Sequence, residues 1–497
     1  MTISLGRLVQ RLDHEKLLTD GAVLDGAAVA AEVRDVTTDS RIVARGSVFC
    51  AIRGNEGDGH EYLRSAEEAG AVAALVERHN PSLNLPQIKV VDGRLAAAFA
   101  AAEFFGDPWN EMILVGITGT NGKTTSVAIV RHILSTQVPT GSIGTLGAVG
   151  TDGQVVPETE GLTTPGPVAL GRWLRLLHGD GARAVAMEVS SHSLHQQRVA
   201  AARFDAALFT NLSQDHLDYH GTLEDYRAAK LLLADLVKPG GAVVLNADDP
   251  AWDRADCVRT RVVRFGLQRP ADITASGIRA RAEGMAFTLA TPDGKVPATV
   301  PLFGVYNVSN ALGAAAVLWS LGWSAERIAA GLEKLPQVPG RLERVPTPPE
   351  RATVLIDYAH TPDALERALA ALRPLVKGRL IVVFGAGGDR DRGKRPAMGM
   401  AAAAGADRSI ITSDNPRHES PDRIAEEVES GMGNAPRRRV LDRRKAIRQA
   451  ITDAGPDDLV LLAGKGHETY QIWGDERRPF DERAVVRELF EGRGAGS

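Results

Sequence analysis

Cysteine is nearly absent: Cys50 and Cys257 stand alone and far apart in the sequence. Two such residues build neither a disulfide framework nor a zinc site by themselves, so a reducing compartment is expected. Long apolar runs are missing too. A bilayer span needs roughly 20 uncharged residues, whereas "LAAAFAAAEFF" is short and carries Glu103. The first residues, "MTISLGRLVQRLDHEK", place Arg7 and Arg11 inside an apolar period and read as a short amphipathic helix rather than a signal peptide. A soluble cytoplasmic protein without a membrane partner is expected. The 58 basic and 62 acidic side chains leave a formal net charge of -4, and no long basic run marks a nucleic-acid face. No nucleic-acid partner is expected.

What is present is a chain of 497 residues, enough for about three cores. From about residue 112 one pattern repeats: a short β-branched run, then glycine or polar residues, then an amphipathic helical stretch. "EMILVGITGTNGKTTSVAIVRHIL", "ARAVAMEVSSH", "FDAALFTNLS" and "GGAVVLNADD" carry it. It restarts at "ATVLIDYAHTPDALERALAALRPL" and runs through "RLIVVFGAGGDRDRG", "RSIITSDNPR" and "DLVLLAGKGHE". These are βαβ units, and in parallel sheets the polar C-terminal strand ends are where ligands bind. The proline-rich stretch 333–352 sets a boundary near Gly340, and "FGDPWN" sets another near residue 110. The expected fold is α/β in three domains, 1–110, 111–340 and 341–497, the middle one a phosphate-loop ATPase with a mostly parallel sheet.

"GITGTNGKTT" follows a strand and opens a helix, the context a phosphate-binding loop requires. Backbone N–H groups from Gly119, Thr120, Asn121 and Gly122 would cradle phosphates, with Thr125 next in the helix. Lys123 would reach the terminal phosphates and the Thr124 hydroxyl would ligate Mg²⁺. The common spacing would need glycine at 117, where this chain has Ile117. No G-x-G-x-x-G occupies this loop, which disfavours a nicotinamide dinucleotide. ATP and Mg²⁺ are the expected cofactors. Glu188 and His216, at neighbouring strand ends, are the candidate metal ligands, although either residue could be purely structural.

Taken together, "GTNGKTT", "EVSSH", "TNLSQDHLDYHGTLEDYRAAK", "YNVSNALGAAA", "PGRLE", "DYAHTPDAL", "GAGGDRDRGKR" and "GKGHETYQ" resemble the ordered blocks of the Mur ligase family, ATP-dependent amide ligases of peptidoglycan precursor synthesis. The resemblance implies an N-terminal αβ domain for a uridine nucleotide and a Rossmann-like C-terminal domain. It implies contacts to a UDP-muramoyl dipeptide from Ser40, Asn55, Glu56, Gly57, Thr163, Thr164, Ser190, Gln196 and Arg198. It implies Asn310 at the adenine, Arg341 and Asp357 at the nucleotide with His360 close to them, and a carbamylated Lys230 as a further metal ligand. Read unaided, Lys230 is a surface lysine of an amphipathic helix.

"SDNPR" ends an apolar run and looks first like a turn, because proline pushes its predecessor into extended backbone. In the resembled family Asp414, Asn415, Pro416 and Arg417 mark the enzymes that add meso-diaminopimelate, with Arg390, Gly464 and Glu468 as further ligands. Physically, a site choosing diaminopimelate over lysine needs a cation for its extra carboxylate, and Arg417 supplies one. The expectation is a monomeric ligase joining meso-diaminopimelate to UDP-N-acetylmuramoyl-L-alanyl-D-glutamate. The lysine-adding sibling, a folate-extending ligase and a nucleotide switch that forms no bond are the alternatives.

Overall fold

The computed structural model describes residues 1–19, 29–54, 57–253, 260–281 and 283–491. It divides into two compact units: Met1–Thr274 with Ala290–Lys295 and Asn310–Gly331, and Ala275–Leu289 with Val296–Ser309 and Leu332–Ser497. The α/β expectation holds in both.

Besides the short pair Ile3–Ser4/Glu32–Val33, the first unit carries two larger sheets. At its front, Asp35–Thr37, Ser47–Cys50, Ala73–Val76 and Gln87–Lys89 form a parallel sheet in that order. Helix Gly93–Phe105 follows, its first turn capped by the Asp92 carboxylate, which accepts from the N–H groups of Arg94 and Leu95. This "GRLAAAFAAAEFF" segment is buried on nearly every side, which explains why it is so apolar while being too short for a membrane. The amphipathic start is a helix, Leu5–His14, that buries Leu5, Leu8 and Leu12.

The larger sheet places Ile113–Thr118 between Phe204–Phe209 and Ala184–Glu188, all parallel. Thr140–Gly144 lies beyond Ala184–Glu188, while Val237–Asn246 and Arg261–Gly266 extend the other side. The chain therefore leaves Ile113–Thr118 towards one side and later returns to pair on the other. Such a switch in strand order opens a crevice at the carboxyl ends, here at the ends of Ile113–Thr118, Ala184–Glu188 and Phe204–Phe209.

The second unit holds a six-stranded sheet in the order Glu343–Val345, Thr353–Asp357, Leu459–Ala463, Leu380–Phe384, Arg408–Ile411, Arg437–Arg439. The first strand is antiparallel and the rest are parallel. Its inner strands Leu459–Ala463 and Leu380–Phe384 are continuous apolar runs because both faces are covered. Leu355, Val382, Phe384 and Leu461 enter one core, and Val354, Ile381, Val383 and Val460 enter another. The proline-rich stretch read as a structureless boundary contains one strand, Glu343–Val345, whose pairing with Thr353–Asp357 supplies the order its sequence lacks.

One buried ion pair braces this sheet. Arg443 Nε donates to Glu482 Oε1 at 2.8 Å and Arg443 Nη2 to the Ala463 carbonyl at 2.8 Å, with neither side chain reaching solvent. Burial pushes the Glu482 carboxyl up, against the pull of Arg443. Removing one partner strands the other charge, so Arg443→Leu should lower stability by about 3–5 kcal/mol, with much of the loss recovered in Arg443→Met/Glu482→Leu. Calorimetric unfolding of the three proteins checks this.

Candidate active site

The phosphate-loop candidates form one tight structure. Lys123 starts helix Lys123–Ser135 and curls back, its ammonium donating to the carbonyls of Gly119 and Thr120 at 2.9 Å each. The loop is held from below: Thr120 N–H donates to the Asn211 carbonyl at 2.7 Å, and Asn121 N–H to Asn211 Oδ1 at 2.9 Å. Gly119, at φ 146°, packs so closely on Thr210 that a Cβ would collide with the Thr210 hydroxyl. Asn310 Oδ1 occupies the space beside Gly122. Thr124 and Thr125 are buried in the first helical turn.

Glu188, at the end of its strand, accepts from the Thr124 hydroxyl at 3.0 Å and from the Thr145 N–H at 2.9 Å. His216 has a left-handed backbone, φ 53°, and its imidazole packs edge-on against His192 with ring centroids 4.8 Å apart. Burial and then the neighbouring charges of Lys123 and Lys230 depress the basicity of His216.

Lys230 is not the surface lysine that an unaided reading gives. It is 1% exposed, donates to the Gly119 carbonyl at 2.9 Å and lies over the Tyr226 ring, 4.3 Å from its centroid. Helix Leu223–Asp235 turns this residue inward because its buried face also carries Tyr226, Ala229 and Leu233. Desolvation first, then Lys123, hold its ammonium well below the ordinary value of 10.5. Glu188, Thr124 and Lys230 are thus all gathered at the loop, and the charge of Lys230 is felt at His216. Among the described residues no three His, Cys, Asp or Glu side chains converge as a ready metal cage. A magnesium ion here would rely on Thr124, Glu188, His216 and phosphate or water oxygens, which suits that ion's preference for partial hydration.

The muramoyl-peptide candidates adjoin this loop. Thr164 donates through its hydroxyl to the Glu188 carbonyl at 3.0 Å and accepts from the Ser190 N–H at 3.0 Å. Arg198 donates to the Thr164 carbonyl at 3.0 Å and, through Nη2, to Gln196 Oε1 at 2.6 Å. Thr163 lies next to this chain of contacts, partly exposed. Ser40 starts the short helix Ser40–Ile42, and Gly57 accepts from the Gly54 N–H at 2.8 Å. Among the described residues no hydrogen bond ties either to that network. Asn55 and Glu56 lie outside the described residues.

The second unit collects the amino-acid candidates. Asp414, Asn415, Pro416 and Arg417 follow strand Arg408–Ile411, Arg390 follows Leu380–Phe384, and Gly464 and Glu468 follow Leu459–Ala463, three adjacent strands of one sheet. Pro416 does make a turn, its carbonyl accepting from the Glu419 N–H at 3.1 Å. That turn is also pinned from outside by the hairpin Tyr470–Trp473/Glu476–Pro479. Gln471 Nε2 donates to the carbonyls of Ser413 and Asp414 at 3.1 and 2.8 Å, and Arg417 N–H donates to the Ile472 carbonyl at 3.1 Å. The result is a left-handed Arg417, φ 51°, a conformation a non-glycine residue keeps only when its surroundings impose it. Its guanidinium donates to the Gly388 carbonyl at 2.9 Å and comes close to Gly387, as does the Arg390 side chain. Arg390 is exposed and forms no ion pair with Asp389, which pairs instead with His418 at 2.9 Å. Glu468 caps no helix and bonds to Asn415 at 3.0 Å. Lys465 and Gln471, both buried in this group, are missing from the sequence-derived set, although "GKGHETYQ" contains both.

Asp357 and Arg341 meet at the end of Thr353–Asp357. The Asp357 carboxylate accepts from the N–H groups of Leu342 and Ala359 at 2.7 and 2.8 Å, and burial still pushes it up. The Arg341 guanidinium covers the Tyr358 ring at 5.0 Å, and the His360 ring packs on the same tyrosine at 4.5 Å.

Three family models match successive stretches of the chain. The Mur ligase middle domain matches residues 117–318, the Mur ligase glutamate ligase domain 340–466, and the Mur ligase family catalytic domain 32–104. The UDP-N-acetylmuramoyl-L-alanyl-D-glutamate--2,6-diaminopimelate ligase of Geobacillus kaustophilus is 45% identical over 467 residues, 92% of this chain and 94% of that one. The chain belongs to the Mur ligase family. Another relative of this Mur ligase, the enzyme of the same description from Geobacter metallireducens, is 43% identical over 94% of this chain and 95% of its own. A solved structure of a UDP-N-acetylmuramoyl-L-alanyl-D-glutamate--2,6-diaminopimelate ligase shares 30% identity and a TM-score of 0.70, covering 100% of both chains. The MurF ligase of Thermotoga maritima, at 20% identity and a TM-score of 0.64 over 94% of this chain and 99% of its own, shares the fold.

The depressed Lys230 gives this Mur ligase a pH signature. Between its folded value and 10.5 the unfolded chain binds one more proton, so Lys230 makes stability rise with pH across that window. Lys230→Met should flatten this slope, read as denaturant midpoints at about pH 7 and about pH 10.

Proposed function

We propose that this chain joins meso-2,6-diaminopimelate to UDP-N-acetylmuramoyl-L-alanyl-D-glutamate with ATP, in the cytoplasm, as a monomer built from domains 1–110, 111–340 and 341–497. The observation that carries the amino-acid choice is the group at 414–417 and 464–468, where the Arg417 guanidinium and the Asp414 and Glu468 carboxylates, with the buried Lys465 ammonium against both acids, surround a single turn. A zwitterionic far end, one ammonium and one carboxylate, matches that set, whereas the far end of lysine offers an ammonium alone. No helix among the described residues is long and apolar enough to cross a membrane.

A carboxylate is a poor acyl donor, so the reaction requires activation. The substrate carboxylate attacks the γ-phosphorus of ATP, ADP leaves, and an acyl phosphate forms; the neutral amine then attacks the acyl carbon, phosphate departs and the amine loses a proton. The loop N–H groups and Lys123 hold the phosphates while Thr164, Ser190, Gln196 and Arg198 position the peptide. Mg²⁺, held by Thr124, Glu188, His216 and Lys230 as its carbamate, would neutralise the transferring charge. The fit is supported by Lys230 itself, since a buried lysine of low basicity presents the neutral amine that carbon dioxide requires. Asn310, beside Gly122, adds a nucleotide contact within the first unit.

Phosphate release from ATP and the nucleotide dipeptide should depend on diaminopimelate and fall to background with lysine; the opposite result rejects the reading. Arg417→Ala should raise the KM for diaminopimelate roughly 100-fold while leaving the KM for ATP within about twofold, because only one charged contact is lost. Equal changes in both would reduce 414–417 to a structural turn. Depleting bicarbonate should lower the activity of wild type, and mass spectrometry of native protein should find the added carbon dioxide on Lys230.

A further inference from the structure

One side chain in the amino-acid site organises the others without being a candidate ligand. Lys465 is fully buried, and its ammonium donates to Asn415 Oδ1 at 2.9 Å and to Glu468 Oε2 at 2.5 Å. It lies 3.6 Å from Asp414 Oδ1 and 5.1 Å from the centroid of the Tyr470 ring. Gly464, just before it, runs at φ 115° against the Asp414 carboxylate, so the loop brings the lysine in from beneath the turn.

The consequence is a fixed polarity. Asn415 Oδ1 accepts from both Lys465 and the Ile472 N–H, at 2.9 and 3.0 Å, while its Nδ2 donates to Glu468 Oε2 at 3.0 Å. Flipping this amide would set an NH₂ group against an ammonium and a backbone N–H, so Lys465 selects one orientation. Glu468 meets Lys465 and Asn415 through the same oxygen, and its Oε1 has no hydrogen-bond partner among the described residues. Asp414 Oδ1 is buried and likewise accepts no hydrogen bond among them, its nearest cation being the Lys465 ammonium at 3.6 Å. Two carboxylate oxygens therefore remain for a donor from outside.

We propose that Lys465 is a positioning residue of the acceptor site: it aims Asn415 and Glu468 beside Asp414, so that together they receive the far ammonium of a diamino diacid. This rests on the reading of 414–417 as the amino-acid site. Lys465 itself touches no substrate.

The test uses full-length Lys465→Met, which keeps the length but no donor, and Lys465→Gln, which keeps one donor for Asn415 Oδ1. Steady-state kinetics with diaminopimelate and with lysine are measured beside wild type. Lys465→Met should raise the KM for diaminopimelate about 10- to 100-fold, with kcat and the KM for ATP within about threefold, and Lys465→Gln should fall between it and wild type. In an Asn415→Ala background the Lys465→Met effect should shrink, because the amide it orients is gone. An unchanged KM for diaminopimelate in both variants overturns the proposal. So does a parallel loss of kcat, ATP affinity and thermal midpoint in both, the mark of a merely structural lysine. A wild type that shows no preference for diaminopimelate overturns the site reading and this inference with it, and that outcome is visible without any variant.

Discussion

A parallel sheet covered on both faces leaves polar chemistry nowhere to go except the strand ends. Every backbone group within such strands is already paired, and both rows of side chains are committed to cores, as in Leu380–Phe384 and Leu459–Ala463. The residues that follow these strands carry the charges instead. This single constraint explains why Gly119–Lys123, Glu188 and Thr210–His216 meet in one unit, and why Arg390, Arg417 and Glu468 meet in the other.

The two sites solve opposite electrostatic problems. At the phosphate loop two ammonium groups, Lys123 and Lys230, share the Gly119 carbonyl, an arrangement that is uncomfortable until an anion arrives or one lysine loses its proton. In the second unit the charges of Asp414, Lys465 and Glu468 are mixed within a few ångströms, so the group presents a pattern of charge rather than a net sign.

How much of this could be read beforehand varied with chain distance. "GTNGKTT" was legible because its function is local, a strand, four loop residues and a helix start. The strand-end rule also placed Glu188 and the 414–417 turn at the carboxyl ends of their strands, where the structure has them. Lys230 was not legible from its helix: its burial is set by Tyr226 and by Gly119, more than a hundred residues earlier. Lys465 and Gln471 were hidden for the same reason, since their partners at 413–415 are about fifty residues away, and no periodicity encodes such pairings. The segment around Asn55 and Glu56 falls outside the described residues.

The left-handed backbone at Arg417 has a bearing on the order of folding. Nothing local to "DNPR" favours that conformation, so the turn acquires its shape only when the hairpin Tyr470–Trp473/Glu476–Pro479 closes on it. Contacts of such sequence separation form late, after the strands that lie between them have docked. The turn at 414–417 is therefore among the last parts of the sheet to mature, and a chain emerging during synthesis holds its phosphate-loop segment long before this turn can take its shape.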